Sequence, residues 1–214
     1  MKRLVVIGAG VAGLSAAIHG RSSGYEVDVY ERHTIPGGLC TAWRIDGFRF
    51  DGCIEWLTGS GPASPFYPLW REVGVLPRAV VDRPAYAVIR CGEQSLTLWA
   101  DPDRLEAELV ARSPADALPG RELAALVRTM RTARYRVDRA EALMSLRERI
   151  GRVFDAFAAR EAWSAGTAHT VGDFAARFTD PLIRRALETA MDPRLPLVAL
   201  LTTLADLANG ASGC

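Results

Sequence analysis

No apolar run in this chain is long enough to cross a bilayer, and neither sign of charge dominates. Histidine occurs three times and cysteine four times, without a Cys-x-x-Cys pair. Each shortage excludes something. Twenty-six basic and 25 acidic side chains leave a net charge of +1, so no strong field calls for nucleic acid. The cysteines at 40, 53, 91 and 214 and the histidines at 19, 33 and 169 share no ligand spacing. No structural metal is expected, and a reducing, cytoplasmic compartment is. What is present, 49% hydrophobic and 24% charged residues over 214 positions, is the composition of a globular chain of one or two domains. That length is short for an enzyme enclosing both a large cofactor and its substrate.

Met1-Lys2-Arg3 followed by the apolar run Leu4 to Ile18 mimics a secretory leader. The grammar is different, however. Leu4-Val5-Val6-Ile7 is a β-branched strand signal, and glycines follow at 8, 10 and 13. From Val11 to Ser22 the pattern is helical, with Leu14, Ala17 and Ile18 on one face and small residues permitting close approach to a sheet. Gly24 ends the helix, Glu26 to Tyr30 reads as a second strand, and Glu31 stands at its carboxyl end. The segment is therefore expected to be a β-α-β unit.

These residue types suit a dinucleotide. Gly8 lets the chain turn tightly out of the strand, Gly10 removes a Cβ where a diphosphate must approach the backbone, and Gly13 lets helix and strand pack closely. The helix N-terminus offers free N–H groups and a positive dipole end, while Glu31 can accept from ribose hydroxyls. A glycine triplet alone often only punctuates a turn, so the strand before it, the helix after it and the acid beyond carry the argument. NAD and FAD present the same ADP moiety, and this fingerprint does not separate them. A second glycine pair in Pro36-Gly37-Gly38 offers bare backbone to a phosphate or ribityl chain, the alternative being an ordinary Pro-Gly turn.

Gly8-Ala9-Gly10-Val11-Ala12-Gly13-Leu14, Glu31-Arg32, Pro36-Gly37-Gly38 and Gly47-Phe48-Arg49-Phe50-Asp51-Gly52, in that order, resemble the N-terminus of phytoene desaturase-type flavoproteins. Residues 37–43 and 51–57 are particularly similar to the branch containing carotenoid (prolycopene) isomerases. The resemblance is strong through about residue 60 and loose beyond. It implies FAD, with Gly8, Gly10, Ala12 and Gly13 on the diphosphate and Glu31 on the ribose. Arg32, Gly37, Gly38, Leu39 and Thr41 would lie near the cofactor. It implies desaturation or isomerisation of a long, apolar, polyene-like substrate through hydride exchange with the flavin, and it carries over no catalytic base. Three other readings stand beside it: a flavin amine oxidase-like enzyme, a non-enzymatic prenyl-binding module of Rab GDP-dissociation-inhibitor architecture, and an NAD-dependent dehydrogenase. Intact Gly10, Gly13 and Glu31 argue against the module. The missing strand and helix alternation after Glu31 argues against the dehydrogenase.

Asp46-Gly47 between Trp43-Arg44-Ile45 and Phe48-Arg49-Phe50 predicts a hairpin, as does Gly92-Glu93 between 85–90 and 95–99. Residues 59–68, rich in Gly, Pro and Ser, suggest a boundary between a cofactor-binding part (1–62) and a substrate or cap region (63–214). Asp101-Pro102 opens a largely helical stretch, with further helices expected over 120–145, 147–163, 171–190 and 196–208. Arg128, Arg131, Arg134, Arg136 and Arg139 spread around their helix at 100° per residue, which reads as a solvated helix rather than an anion-binding stripe. The leucines from 195 to 207 are too few to span a membrane and are interrupted by Asp206. They suggest a core or lid helix, with peripheral contact to a membrane or a lipophilic substrate as the alternative. Cys40 and Cys53 read as packing residues. The expected fold class is α/β, a Rossmann-like β-α-β unit followed by mixed antiparallel sheet and helices. With two parallel strands in evidence the fold is expected to be incomplete, an N-terminal piece of a longer flavoprotein.

Overall fold

A computed structural model describes residues 2–52, 57–76, 78–133, 137, 141–151, 159–210 and 212–213. Cys53, Arg134, Arg136, Arg139 and Cys214 lie outside the described residues. The chain is α/β and divides into two units, Met1–Leu57 with Pro68–Pro77, and Thr58–Tyr67 with Arg78–Cys214.

In the first unit, strand β1 (Arg3–Ile7) leads into helix α1 (Val11–Ser22), which returns the chain to strand β2 (Glu26–Tyr30). The strands pair in parallel, Leu4 opposite Val27 and Val6 opposite Val29. Side chains alternate along a strand, so Leu4, Val6, Val27 and Val29 share the face on which α1 lies. Its Gly20 and Gly13 bring it onto the Leu4 and Val6 side chains. The opposite face carries Val5, Ile7 and Tyr30, and Ile7 is 89% exposed. A hairpin of β3 (Ala42–Ile45) and β4 (Phe48–Asp51) follows. Its turn holds Asp46 at φ 50° and Gly47 at φ 83°, the left-handed pair that a two-residue turn between twisted strands requires. Trp43, Ile45, Phe48 and Phe50 stand on one face of it, all exposed. A short helix, α2 (Tyr67–Glu72), brings Glu72 to the imidazole of His19 on α1 at 3.4 Å.

The second unit holds the large core. Strands β5 (Ala85–Cys91) and β6 (Gln94–Trp99) form an antiparallel hairpin about Gly92-Glu93. Leu96 and Leu98 of β6 pack with helices α3 (Pro102–Arg112), α4 (Ala117–Met130), α5 (Arg160–Ala168), α6 (Val171–Ala175), α7 (Pro181–Ala190) and α8 (Leu197–Ala208). Helix α3 starts where Asp101 accepts from the Asp103 and Arg104 N–H groups, with Pro102 in the first turn. Leu197, Leu200, Leu201 and Leu204 of the segment expected to be a core or lid helix are in this core, whereas Leu195 is exposed and Leu207 half-buried. Among the described residues no helix is long and apolar enough to cross a membrane.

Two helix expectations are corrected. The helix expected over 120–145 starts at Ala117 and ends at Met130. There Thr132 and Ala133 donate to the Thr129 and Met130 carbonyls, tightening the turn, and the Thr132 hydroxyl caps the Thr129 carbonyl at 2.7 Å. The single helix expected over 171–190 is two. Helix α6 ends at Ala175, where Arg177 and Phe178 donate to the Phe174 and Ala175 carbonyls in a tighter turn, and Asp180 caps a new helix, with Pro181 in its first turn, by accepting from Leu182 and Ile183. The helix expected over 147–163 falls partly outside the described residues, and α5 continues past it to Ala168. Of the arginines expected on a solvated helix, Arg128 bridges to Asp103 and Glu106, and Arg131 donates to Asn209.

A buried carboxylate ties the second unit together. Asp116, 2% exposed, accepts from the Thr179 N–H at 2.7 Å, the Thr179 hydroxyl at 2.9 Å and the Asp180 N–H at 2.9 Å. Burial alone would raise its pKa, but these donors and the Ser113 hydroxyl outweigh it and hold the carboxyl at about 2. Asp180 in turn pairs with Arg112 of α3 at 3.0 Å.

Candidate cofactor site

Gly8 leaves β1 at φ 96°, a left-handed conformation that side chains rarely adopt, and its N–H donates to the Tyr30 carbonyl at the end of β2 at 2.7 Å. Gly10 is the N-cap of α1, in extended conformation and without a side-chain cap. The Leu14 N–H is bonded to the Gly10 carbonyl at 2.9 Å, so the N–H groups of Val11, Ala12 and Gly13 belong to the open first turn and its positive dipole end.

The glycines answer to different demands. A Cβ on Gly13 would overlap the Gly8 carbonyl oxygen and stand 3.3 Å from Val6 Cγ1, so the fold itself requires that glycine. A Cβ on Gly10 would meet only the Gly38 Cα at 3.9 Å, an ordinary contact, and the backbone there is not left-handed. Packing among the described residues does not explain Gly10. A bare backbone there leaves room for a ligand atom from outside.

The second glycine pair lies on the first. The Gly37 N–H donates to the Ala9 carbonyl at 2.8 Å, and a Cβ on Gly38, itself at φ 60°, would stand 3.0 Å from the Gly10 Cα. Glu31 closes the other side, Oε2 accepting from the Ala9 N–H at 2.6 Å and Oε1 from the His33 N–H at 2.8 Å. These backbone donors, His33 first and Ala9 second, hold the exposed carboxyl below its ordinary range. Gly8, Gly10, Gly13, Glu31, Gly37 and Gly38 are thus brought together, with Ala12 on the first turn of α1. Arg32 is exposed beside Glu31, Leu39 is exposed, and the Thr41 hydroxyl donates to the Gly38 carbonyl at 2.8 Å, closing the second turn.

Ala9 is the residue that sequence reasoning passed over. It is buried, and both its peptide groups bond to other segments of the site. Main-chain bonds need no particular side chain, so no residue type announced it. The arrangement can hold an anion at the N-terminus of α1 and a diol at the Glu31 carboxylate. Among the described residues no three His, Cys, Asp or Glu side chains converge as a metal site.

Residues 6–73 match the NAD(P)-binding Rossmann-like domain. The chain is 43% identical over 51 residues to a 1-hydroxycarotenoid 3,4-desaturase of a Flavobacterium species, covering 24% of this chain and 10% of that protein. It is 46% identical over 50 residues to a zeta-carotene-forming phytoene desaturase of Myxococcus xanthus, covering 23% and 10%. Against a lycopene-forming phytoene desaturase of Pseudescherichia vulneris it is 30% identical over 117 residues, covering 54% and 24%. These matches therefore span a tenth to a quarter of the relatives' lengths. A putrescine oxidase structure superposes on 97% of this chain and 43% of its own, at 17% identity and a TM-score of 0.49. The N-terminal part of this chain is thus a Rossmann-like segment that matches an NAD(P)-binding domain and is similar in sequence to carotenoid desaturases.

Proposed function

We propose that this chain carries the ADP-binding part of an FAD-dependent oxidoreductase that desaturates or isomerises a long, apolar, polyene-like substrate. One observation carries the cofactor reading: Gly10 is bare at the open N-terminus of α1 although a Cβ there would meet nothing closer than the Gly38 Cα at 3.9 Å among the described residues. In this reading the first-turn N–H groups from Gly10 to Gly13 hold the diphosphate, with Gly8 shaping the turn before them. Glu31 accepts from the adenosine ribose, and Arg32, Gly37, Gly38, Leu39 and Thr41 line the path toward the flavin. Bound flavin supplies hydride acceptance and return at an allylic carbon. The chain's own residues orient the nucleotide and meet its diphosphate with backbone N–H groups, and we assign none of them a catalytic role. Residues 1–62 form the cofactor part and 63–214 the substrate or cap region. The substrate class rests on the named relatives.

The matched domain is described as binding NAD(P), which favours NAD as the second reading. Titration of the purified chain with FAD, followed by absorption and flavin fluorescence, separates the two. Saturable FAD binding that excess NAD does not displace, and that Gly10→Val abolishes, supports the proposal. Displacement by NAD, or binding indifferent to Gly10→Val, overturns it.

A further inference from the structure

Building on the nucleotide reading above, we infer that Glu31 is also the brace of the phosphate-binding loop, so that ribose recognition and the shape of the diphosphate site are one device. Both carboxylate oxygens already accept backbone N–H groups, Oε2 from Ala9 at 2.6 Å and Oε1 from His33 at 2.8 Å. An ionised carboxylate has about four acceptor positions, so these two bonds leave capacity for a ribose diol. Ala9 lies between Gly8 and Gly10, and its N–H is 22 residues away from Glu31 in sequence. Its carbonyl accepts from the Gly37 N–H at 2.8 Å. The Ala9 backbone therefore joins the acid that follows β2, the first glycine turn and the second, and Ala9 is buried while Gly8 and Gly10 on either side are half-buried. Gly8 adds a bond from its own N–H to Tyr30, the residue before Glu31. A carboxylate that served ribose alone would have no need to reach back into the loop. Its charge next to a diphosphate site would weaken anion binding unless the loop depended on it.

That opposition of signs gives the test. Glu31→Gln removes a negative charge near the anion and so should strengthen binding of inorganic pyrophosphate, which has no ribose, if Glu31 acts on ribose alone. If Glu31 braces the loop, pyrophosphate binding weakens, by about tenfold for the loss of one charge-assisted hydrogen bond. The free chain tests the brace without any ligand. The Ala9 amide proton in NMR should move as acid protonates Glu31, below the usual carboxylate range. The same amide should exchange with solvent about tenfold faster in Glu31→Gln, as the loss of one such bond implies. An Ala9 amide indifferent to acid and to the substitution overturns the brace, even if FAD binds. A titrating Ala9 amide in a chain that binds neither FAD nor pyrophosphate keeps the brace and sinks the nucleotide reading instead.

Discussion

Single residues show why a glycine fingerprint cannot be read as one signal. Glycine at 13 is demanded by the Gly8 carbonyl, whereas glycine at 10 is demanded by no packing contact among the described residues. Gly13→Ala should destabilise the first unit by about 1–3 kcal/mol through overpacking, although alanine inside a helix normally gains about 1 kcal/mol over glycine. Gly10→Ala should leave the melting temperature nearly unchanged and yet weaken FAD binding. Thermal melts of the two variants beside flavin titrations check both, and a Gly10→Ala chain that binds FAD like wild type would remove the argument for a close phosphate. Asp116 gives a different kind of prediction. Its carboxyl titrates at about 2 when folded, below the ordinary value. The stability it contributes is therefore full above the unfolded carboxylate range near pH 4 and is lost as pH falls toward 2. Asp116→Asn would turn an amide N–H2 toward backbone donors at Thr179 or Asp180 and should cost about 1–3 kcal/mol at neutral pH. Denaturant melts at pH 7 and pH 2.5 should show that cost shrinking in acid; a constant difference would contradict the assignment.

Among the elements, turn chemistry was the most legible. Asp46-Gly47 and Gly92-Glu93 each sit at a two-residue connection between antiparallel strands, because only a few residues tolerate the conformation such a turn imposes. Helix ends were less legible. Asp101-Pro102 announced α3, and Asp180-Pro181 announces α7 by the same chemistry, but apolar periodicity continues across the break and masked it. Asp180→Ala should cost about 1 kcal/mol or more, since Arg112 also loses its carboxylate partner and keeps only the bond to Gln94 among those described. Contacts between helices were not legible at all. A Cβ on Gly166 of α5 would stand 2.9 Å from the Val198 backbone of α8, so Gly166→Ala should lower the melting temperature despite its better helix propensity. An unchanged or raised midpoint would show that the two helices separate without cost.

Over the whole molecule the buried apolar residues are unevenly shared. Among the described residues Ala9 is the buried hydrophobic of the first unit, and the others, from Leu96 to Ala205, belong to the second. Ile7, Leu39, Trp43 and Phe48 in the first unit are more than half exposed. Local stability follows buried apolar contact, so amides of β1, α1 and β2 should exchange through openings of much lower free energy than those of α4 and α8. Native-state hydrogen exchange measures this, and equal protection in the two units would refute it. Ligand binding acts on the weaker unit: FAD at a hundred times its dissociation constant should add about 2.7 kcal/mol to the first unit and slow exchange there without slowing it in α8.

The sequence by itself determined the β-α-β unit, both hairpins, the start of α3 and the residues that could face a dinucleotide. Each follows from local rules: strand alternation, left-handed turn positions, caps and bare backbone. Tertiary structure alone decided that Gly13 serves packing while Gly10 does not, that the Gly37-Gly38 turn rests on the first glycine loop, and that Glu31 reaches the Ala9 amide. It also decided that Asp116 holds the start of α7 and that Leu197, Leu200, Leu201 and Leu204 of α8 enter the core. All of these are contacts between residues distant along the chain, where backbone donors and ordinary apolar side chains meet, and such groups carry no local mark of the partner they will find.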